Sequence, residues 1–284
     1  MDGFDFIDVV NNISEKFKDA IDAASYWDDN GKIENEDKLK HLKENDIKNV
    51  NKHFEDWKKN KDKYNIECPD ICAGKINNGN VDDKSIWFYD KDVRKKNSCE
   101  IKDDNSFEKN ILIILESPHD DEYKDDNFIN PALGSTGKSL QKHFADLIKT
   151  IERKCGSSIG KGNCRIILMN SIPYQCSLGK IEGKLLTPIR DLIFNEIWKE
   201  EEIKNRFKEK LTKYNPDYIF NFCTKGGDNS NLRDLVQERI EEYVFAIKKK
   251  PEMYMGDHPS RWDLKRPHRE VWEASKEEKK IQIF

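Results

Sequence analysis

Five consecutive apolar residues, Ile111-Leu112-Ile113-Ile114-Leu115, run directly into the polar stretch Glu116-Ser117-Pro118-His119. A run of that length without polar alternation suits a strand buried on both faces, as in the parallel sheet of an α/β protein. Ligands of such sheets bind in the crevice beyond the carboxyl ends of the strands. Glu116 therefore stands where chemistry would take place, although an isolated Glu after a strand is more often a solvated one. Further on, Asn130-Pro131-Ala132-Leu133-Gly134-Ser135-Thr136-Gly137 leads into a helix from about Lys138.

From residue 110 onward, strand and helix patterns alternate. Strands are expected over 111–115, 165–169, 217–222 and 252–255. Helices are expected over 138–154, 187–198, 201–214 and 231–248, with a terminal helix near 267–280. In the first of these, Leu140, Phe144, Leu147, Ile148 and Ile151 share one face. In the second, Pro188 suits the opening turn. This alternation predicts an α/β fold: a three-layer α/β/α arrangement with a four-stranded parallel sheet.

Residues 1–66 place apolar residues at helical spacing among charges. Phe4, Ile7, Val10 and Ile13 form one face, and Leu39, Leu42, Ile47, Val50 and Phe54 a second, with Trp57 close behind. Residues 68–108 read as irregular, with Ser85–Tyr89 as a short edge strand or a packing cover. The expected division is a charged, helical extension over 1–107 and an α/β domain over 108–284. The extension either packs on the main domain or serves a partner or DNA.

The net charge of −4 excludes a uniformly basic nucleic-acid coat but not a local basic patch. No apolar stretch is long enough to span a membrane, and the start lacks a signal pattern, so no membrane association and a cytoplasmic location are expected. Seven cysteines at irregular spacing argue against a disulfide framework. Cys68 and Cys72 make a single C-x3-C pair, and a zinc or iron–sulfur site needs about four ligands. No metal and no cofactor are therefore expected, with an iron–sulfur cluster as the disfavoured alternative.

Each expected strand ends in a polar loop. The first gives Glu116-Ser117-Pro118-His119, and the second Asn170-Ser171-Ile172-Pro173-Tyr174-Gln175. The third gives Asn221 to Gly227, and the fourth Gly256-Asp257-His258-Pro259-Ser260-Arg261-Trp262. In a parallel sheet these loops lie side by side, so Glu116, Asn170 and His258 would converge on one crevice. A competing pattern is Ala132–Ser139, a loose phosphate loop ending Gly137-Lys138-Ser139. Such a loop should follow its strand directly, whereas residues 116–131, rich in Asp and Glu, intervene here.

Together the loops resemble the uracil-DNA glycosylase superfamily, especially its iron–sulfur and related branches. There the first motif reads Gly-Glu-Ala-Pro-Gly, and Pro-Phe-Val-Gly-x-Ala-Gly leads into a helix. Here Leu115–His119 and Pro131–Gly137 occupy those places. The family's middle strand ends in an Asn, matched by Asn170, and its His-Pro-Ser motif stands intact as His258-Pro259-Ser260. The similarity covers about 108–265.

The resemblance implies roles residue by residue. Glu116 would orient water and stabilise positive charge on the sugar. His258 would hydrogen-bond or protonate the departing base, and Asn170 would read the base edge. Ser260 and the backbone around Ser117, Pro118, Gly137 and Lys138 would grip phosphates. Arg261 and Trp262 stand where the family inserts a wedge into the duplex. The family's stacking Phe is replaced by Ala132, which implies room for a base bulkier than uracil, with Tyr174 or Phe128 as substitute stacking partners. His119 replaces a Gly, and the cysteine spacing departs from that of the iron–sulfur branch. The activity implied is release of a damaged or modified base from DNA, as in repair or in attack on phage DNA with decorated pyrimidines. The alternatives are an inactive glycosylase-fold module that binds DNA or nucleotides, and a nucleotide hydrolase using Lys138.

Overall fold

The computed structural model describes residues 5–26, 44–78, 86–88, 107–123, 130–177, 180–181, 184–185, 187–226, 231–262, 270–273 and 280–282. Phe4, Leu39, Leu42, Cys99 and Phe128 lie outside them. The strands are β1 (Ile71–Ile76), β2 (Lys109–Leu115), β3 (Cys164–Asn170), β4 (Lys180–Ile181), β5 (Lys184–Leu185), β6 (Tyr218–Asn221), β7 (Glu252–Gly256), β8 (Glu270–Glu273) and β9 (Lys280–Gln282). The helices are α1 (Phe6–Tyr26), α2 (Glu44–Lys59), α3 (Lys61–Tyr64), α4 (Ser135–Cys155), α5 (Thr187–Lys199), α6 (Glu201–Tyr214) and α7 (Leu232–Ala246). No helix among the described residues is long and apolar enough to cross a membrane.

β2 is the centre of the sheet, and its apolar run explains why. Leu112 and Ile114 enter one core, Ile111, Ile113 and Leu115 the other, and none is more than 3% exposed. The strand order is β1-β3-β2-β6-β7-β8-β9. β3, β2, β6 and β7 run parallel. From β2 the chain adds β3 on one side and later β6 on the other, so the order reverses at the carboxyl end of β2.

The sheet is mixed, not the four-stranded parallel one expected. β1 pairs antiparallel with β3, through a bulge between Cys72 and Gly74. β8 pairs antiparallel with β7, and β9 with β8. The expected terminal helix near 267–280 is therefore replaced by strand where it is described. Val271 and Trp272 lie opposite Gly256 and Met255, and pairing on an open sheet edge outweighs the local preference of a charged segment. Residues 71–76, read as irregular, also join the sheet. A boundary at 107/108 would part β1 from the strand it pairs with. Ile86 bridges to Gly74, and Phe88 is buried beside it, so this piece covers the β1 edge.

Helices cover both faces. α4 packs on Ile111, Ile113, Leu168 and Phe220, with Phe144 edge-on to Phe220 at 5.8 Å and to Phe88 at 5.3 Å. It ends at Gly156, whose left-handed φ of 68° lets its N–H reach the Glu152 carbonyl. The opposite face is covered by α1, α2, α5, α6 and α7, which share one core with Leu112, Ile114, Ile167 and Ile219. Val10, Ile13 and Phe17 of α1 and Val50, Phe54 and Trp57 of α2 lie in that core, so the described helices of the N-terminal part pack on the sheet domain.

The loop before α4 is tightly constrained. Ala132 has a left-handed φ of 57°. A Cβ on Gly137 would stand 2.0 Å from the Ala132 carbonyl oxygen and 2.6 Å from that of Phe88. Both are backbone atoms that cannot swing aside. Gly137→Ala is expected to destabilise the protein by about 2 kcal/mol or more through overpacking. Denaturant unfolding measures this, and an unchanged midpoint would contradict the packing described.

Candidate functional site

The carboxyl ends of β2, β3, β6 and β7 gather the polar loops. Glu116 follows β2 and is only 7% exposed. Its backbone is pinned by β3's loop: the Glu116 carbonyl accepts from Ser171 Oγ at 2.6 Å and from the Ile172 N–H at 3.0 Å. Its carboxylate is held by two further elements. Oε2 accepts from the Thr224 N–H at 3.0 Å, beyond β6. Oε1 lies 3.5 Å from Nη1 of Arg190, in the first turn of α5. Arg190 is fixed in turn by Asp191, whose Oδ1 accepts from Nε at 2.8 Å and Nη2 at 2.5 Å. The Asp191 side chain is 3% exposed.

His258 follows β7. Ser260 holds it: the Ser260 N–H points at Nδ1 at 3.3 Å, and Ser260 Oγ lies 2.8 Å from the same atom. A ring nitrogen that accepts from a backbone N–H carries no proton, so the neutral ring keeps its proton on Nε2. Burial pushes the imidazole pKa down to about 4. The Glu116 charge opposes that shift, while Arg190, Arg261 and His119 add to it. His258 is therefore a neutral N–H donor near pH 7.

Asn170 ends β3 beside Leu115, one residue from Glu116. Its amide donates to Cys68 Sγ at 3.6 Å, and the residue is 3% exposed. Glu116, Asn170 and His258 thus stand at the same end of the sheet, but the Asn170 amide is engaged by a thiol.

Several expected site residues sit differently from the expectation. Tyr174 cannot offer both faces of its ring to a base: it stacks on Phe6 of α1 at 5.2 Å, and its hydroxyl donates to Glu67. Trp262, expected in a DNA wedge, is 2% exposed. It packs edge-on to Phe222 at 5.2 Å, and its Nε1 donates to the Asp257 carbonyl. Both rings are drawn inside because burying a large aromatic surface outweighs presenting it. Gly137 is buried against Ala132 and Phe88, so it serves close packing of α4 where a phosphate grip was expected. Ala132 and Pro118 are also buried. Ser117 pairs with the Cys176 thiol, and the Ser260 hydroxyl serves His258. Lys138 and Arg261 are exposed, the first on α4 and the second beside His258.

Four groups were not legible as site residues: Arg190, Asp191, the Thr224 N–H and Glu122. Arg190 had one signal. A cation in the first turn of a helix opposes the helix dipole, and Ile189, Leu192 and Ile193 surround it in sequence. Glu122 is 4% exposed and accepts from the N–H groups of His119 and Leu133, tying β2's loop to the loop before α4. A phosphate bound in that loop would meet this carboxylate, which counts against the phosphate-loop alternative. Among the described residues no group of three or more His, Cys, Asp or Glu could hold a metal. The Cys68 sulfur faces Asn170 and that of Cys72 the Gly74 carbonyl.

No family model matches the chain, and neither a curated protein nor a solved structure matches it.

The lowered pKa of His258 ties stability to pH. An unfolded His titrates near 6.5 and the folded ring near 4, so between these values the unfolded chain binds the extra proton. The contribution is present above about pH 6.5 and is lost as pH falls through 4, at about 3 kcal/mol in full. Unfolding midpoints of wild type and His258→Asn between pH 7 and 4 measure it. The wild type is expected to lose more stability over this range than the variant.

Proposed function

We propose that the protein hydrolyses the bond joining a damaged or modified base to deoxyribose in DNA, leaving an abasic site, in a uracil-DNA glycosylase-like manner. The observation that carries this reading is the placing of a buried carboxylate, Glu116, and a neutral N–H donor, His258, at the same end of the sheet, the first of them at its switch point. Breaking an N-glycosidic bond puts positive charge on the sugar and negative charge on the base. A carboxylate on one side and a donor on the other stabilise both as they separate. The same carboxylate can orient the water that attacks the sugar carbon.

Because His258 titrates near pH 4, its role in this reading is to hydrogen-bond the departing base rather than to protonate it. DNA would meet the site through exposed cations such as Lys138 and Arg261, and the base would leave the stack to reach Glu116. A base larger than uracil is implied only by the resemblance, in which Ala132 replaces a Phe; Ala132 itself is buried in the core.

A second reading keeps the cleft but not the chemistry: a module that binds DNA or nucleotides. It is favoured by the engagement of both Glu116 oxygens, one by the Thr224 N–H and one by Arg190.

The test is incubation with oligonucleotides carrying uracil, 5-hydroxymethyl or glucosylated pyrimidines, followed by a search for alkali-labile sites. Release of a modified base is expected, and Glu116→Gln should reduce it by roughly 100-fold or more. Activity that survives this change removes Glu116 from the mechanism. Cleavage of uracil alone rules out the enlarged site. DNA binding with no base released from any substrate favours the module.

A further inference from the structure

A carboxylate and an imidazole brought to one end of a sheet tend to pair. The proton moves onto the ring, the two form an ion pair, and neither is left to act on a ligand. The groups around Glu116 and His258 work against that outcome. Arg190 lies 3.5 Å from Glu116, its side chain is 17% exposed, and two hydrogen bonds to the nearly buried Asp191 fix its guanidinium. Thr224 takes the other carboxylate oxygen. On the imidazole side, the Ser260 N–H occupies Nδ1, the atom an imidazolium would need as a donor.

We propose that Arg190 is the positioning residue of this site: it takes up the Glu116 carboxylate and so keeps it from capturing His258 as an ion pair. A permanent cation suits this task better than a Lys or His would, because it does not give up its proton when desolvated. Asp191 extends the arrangement by aiming the guanidinium, through Nε and Nη2, so that Nη1 is left to face Glu116. The site then offers a carboxylate acceptor and a neutral imidazole donor at the same end of the sheet. This inference rests on the reading of Glu116 and His258 as an acting pair.

The other charges around His258 do not replace Arg190. Glu116 favours the protonated ring, while His119 from β2's loop and Arg261 from its own turn disfavour it. Asp257 precedes His258 in the chain. Arg233 of α7 donates to the Gly256 carbonyl, and its own position is set by that backbone. α4, packed against this turn, brings His143 to the Trp262 ring at 6.5 Å. Arg190 is the cation among them that touches the carboxylate.

The test reads the imidazole directly. In the full-length protein, ¹H–¹⁵N spectra report the tautomer and titration of His258 in wild type, Arg190→Gln, Arg190→Lys and Asp191→Asn. The wild-type ring is expected to remain in the Nε2–H form down to about pH 5, given its pKa of about 4. Arg190→Gln should raise the proton affinity of the ring tenfold or more, about one pKa unit. Arg190→Lys should restore most of the wild-type behaviour, and Asp191→Asn should give a smaller rise. A folded Arg190→Gln protein whose His258 titrates as in wild type overturns the proposal. Should that variant not fold, an unshifted His258 in Asp191→Asn overturns it equally. The readout does not depend on catalysis. A shifted His258 without base release from any oligonucleotide would sustain this inference while the glycosylase reading fails.

Discussion

Glu116 is a carboxylate placed at the end of a strand with no exposed residue between Ile111 and Leu115. Removing a charge from water at such a position costs several kcal/mol unless nearby groups compensate. Much of the surrounding structure can be read as that compensation. The Thr224 N–H must arrive from β6's loop, and Arg190 from the first turn of α5. The Glu116 carbonyl is pinned by Ser171 and Ile172 from β3's loop. Two separate segments therefore have to be in register before this one side chain is satisfied, and a third before its backbone is pinned. A conformation that lacks either of the first two leaves a buried charge short of a partner.

That requirement links the site to the helical layer. α5 can present Arg190 and Asp191 only if Ile189, Ile193, Phe194 and Ile197 are seated in the core shared with α1 and α7. α1 is seated there through Val10, Ile13 and Phe17, and Phe6 at its start stacks on Tyr174. The N-terminal helices are thus part of the support beneath the loops. Asp70, just before β1, reinforces the same side by accepting from Tyr214 Oη at 2.7 Å and Lys210 Nζ at 3.0 Å of α6.

The large aromatic side chains of the loops go to packing, and the small polar groups of the same loops to holding Glu116 and His258 in place. Trp262 seals the turn that carries His258, and Tyr174 joins the N-terminal helix to β3's loop. The neighbouring thiols have the same character. Cys176 and Cys223 are buried, which pushes both pKa values up and keeps them protonated and unreactive. What remains near Glu116 is a fixed cation and an imidazole that burial holds neutral.

The local pattern of residues determined the α/β character, the parallel strands β2, β3, β6 and β7, the helices between them, and the placing of Glu116 and His258 at one end of the sheet. These follow from periodicity, and from the rule that parallel strands line up their carboxyl ends. Tertiary structure alone decided the antiparallel edges, because β1 forms by pairing with β3, far along the chain, and β8 by adding to the open edge of β7, and both carry little local signal. It alone decided that Tyr174 and Trp262 turn inward, since a loop aromatic reads the same in sequence whether it meets solvent or another ring. It also brought Arg190 to Glu116 across 73 intervening residues. The need to compensate a buried charge is visible only once burial itself is known.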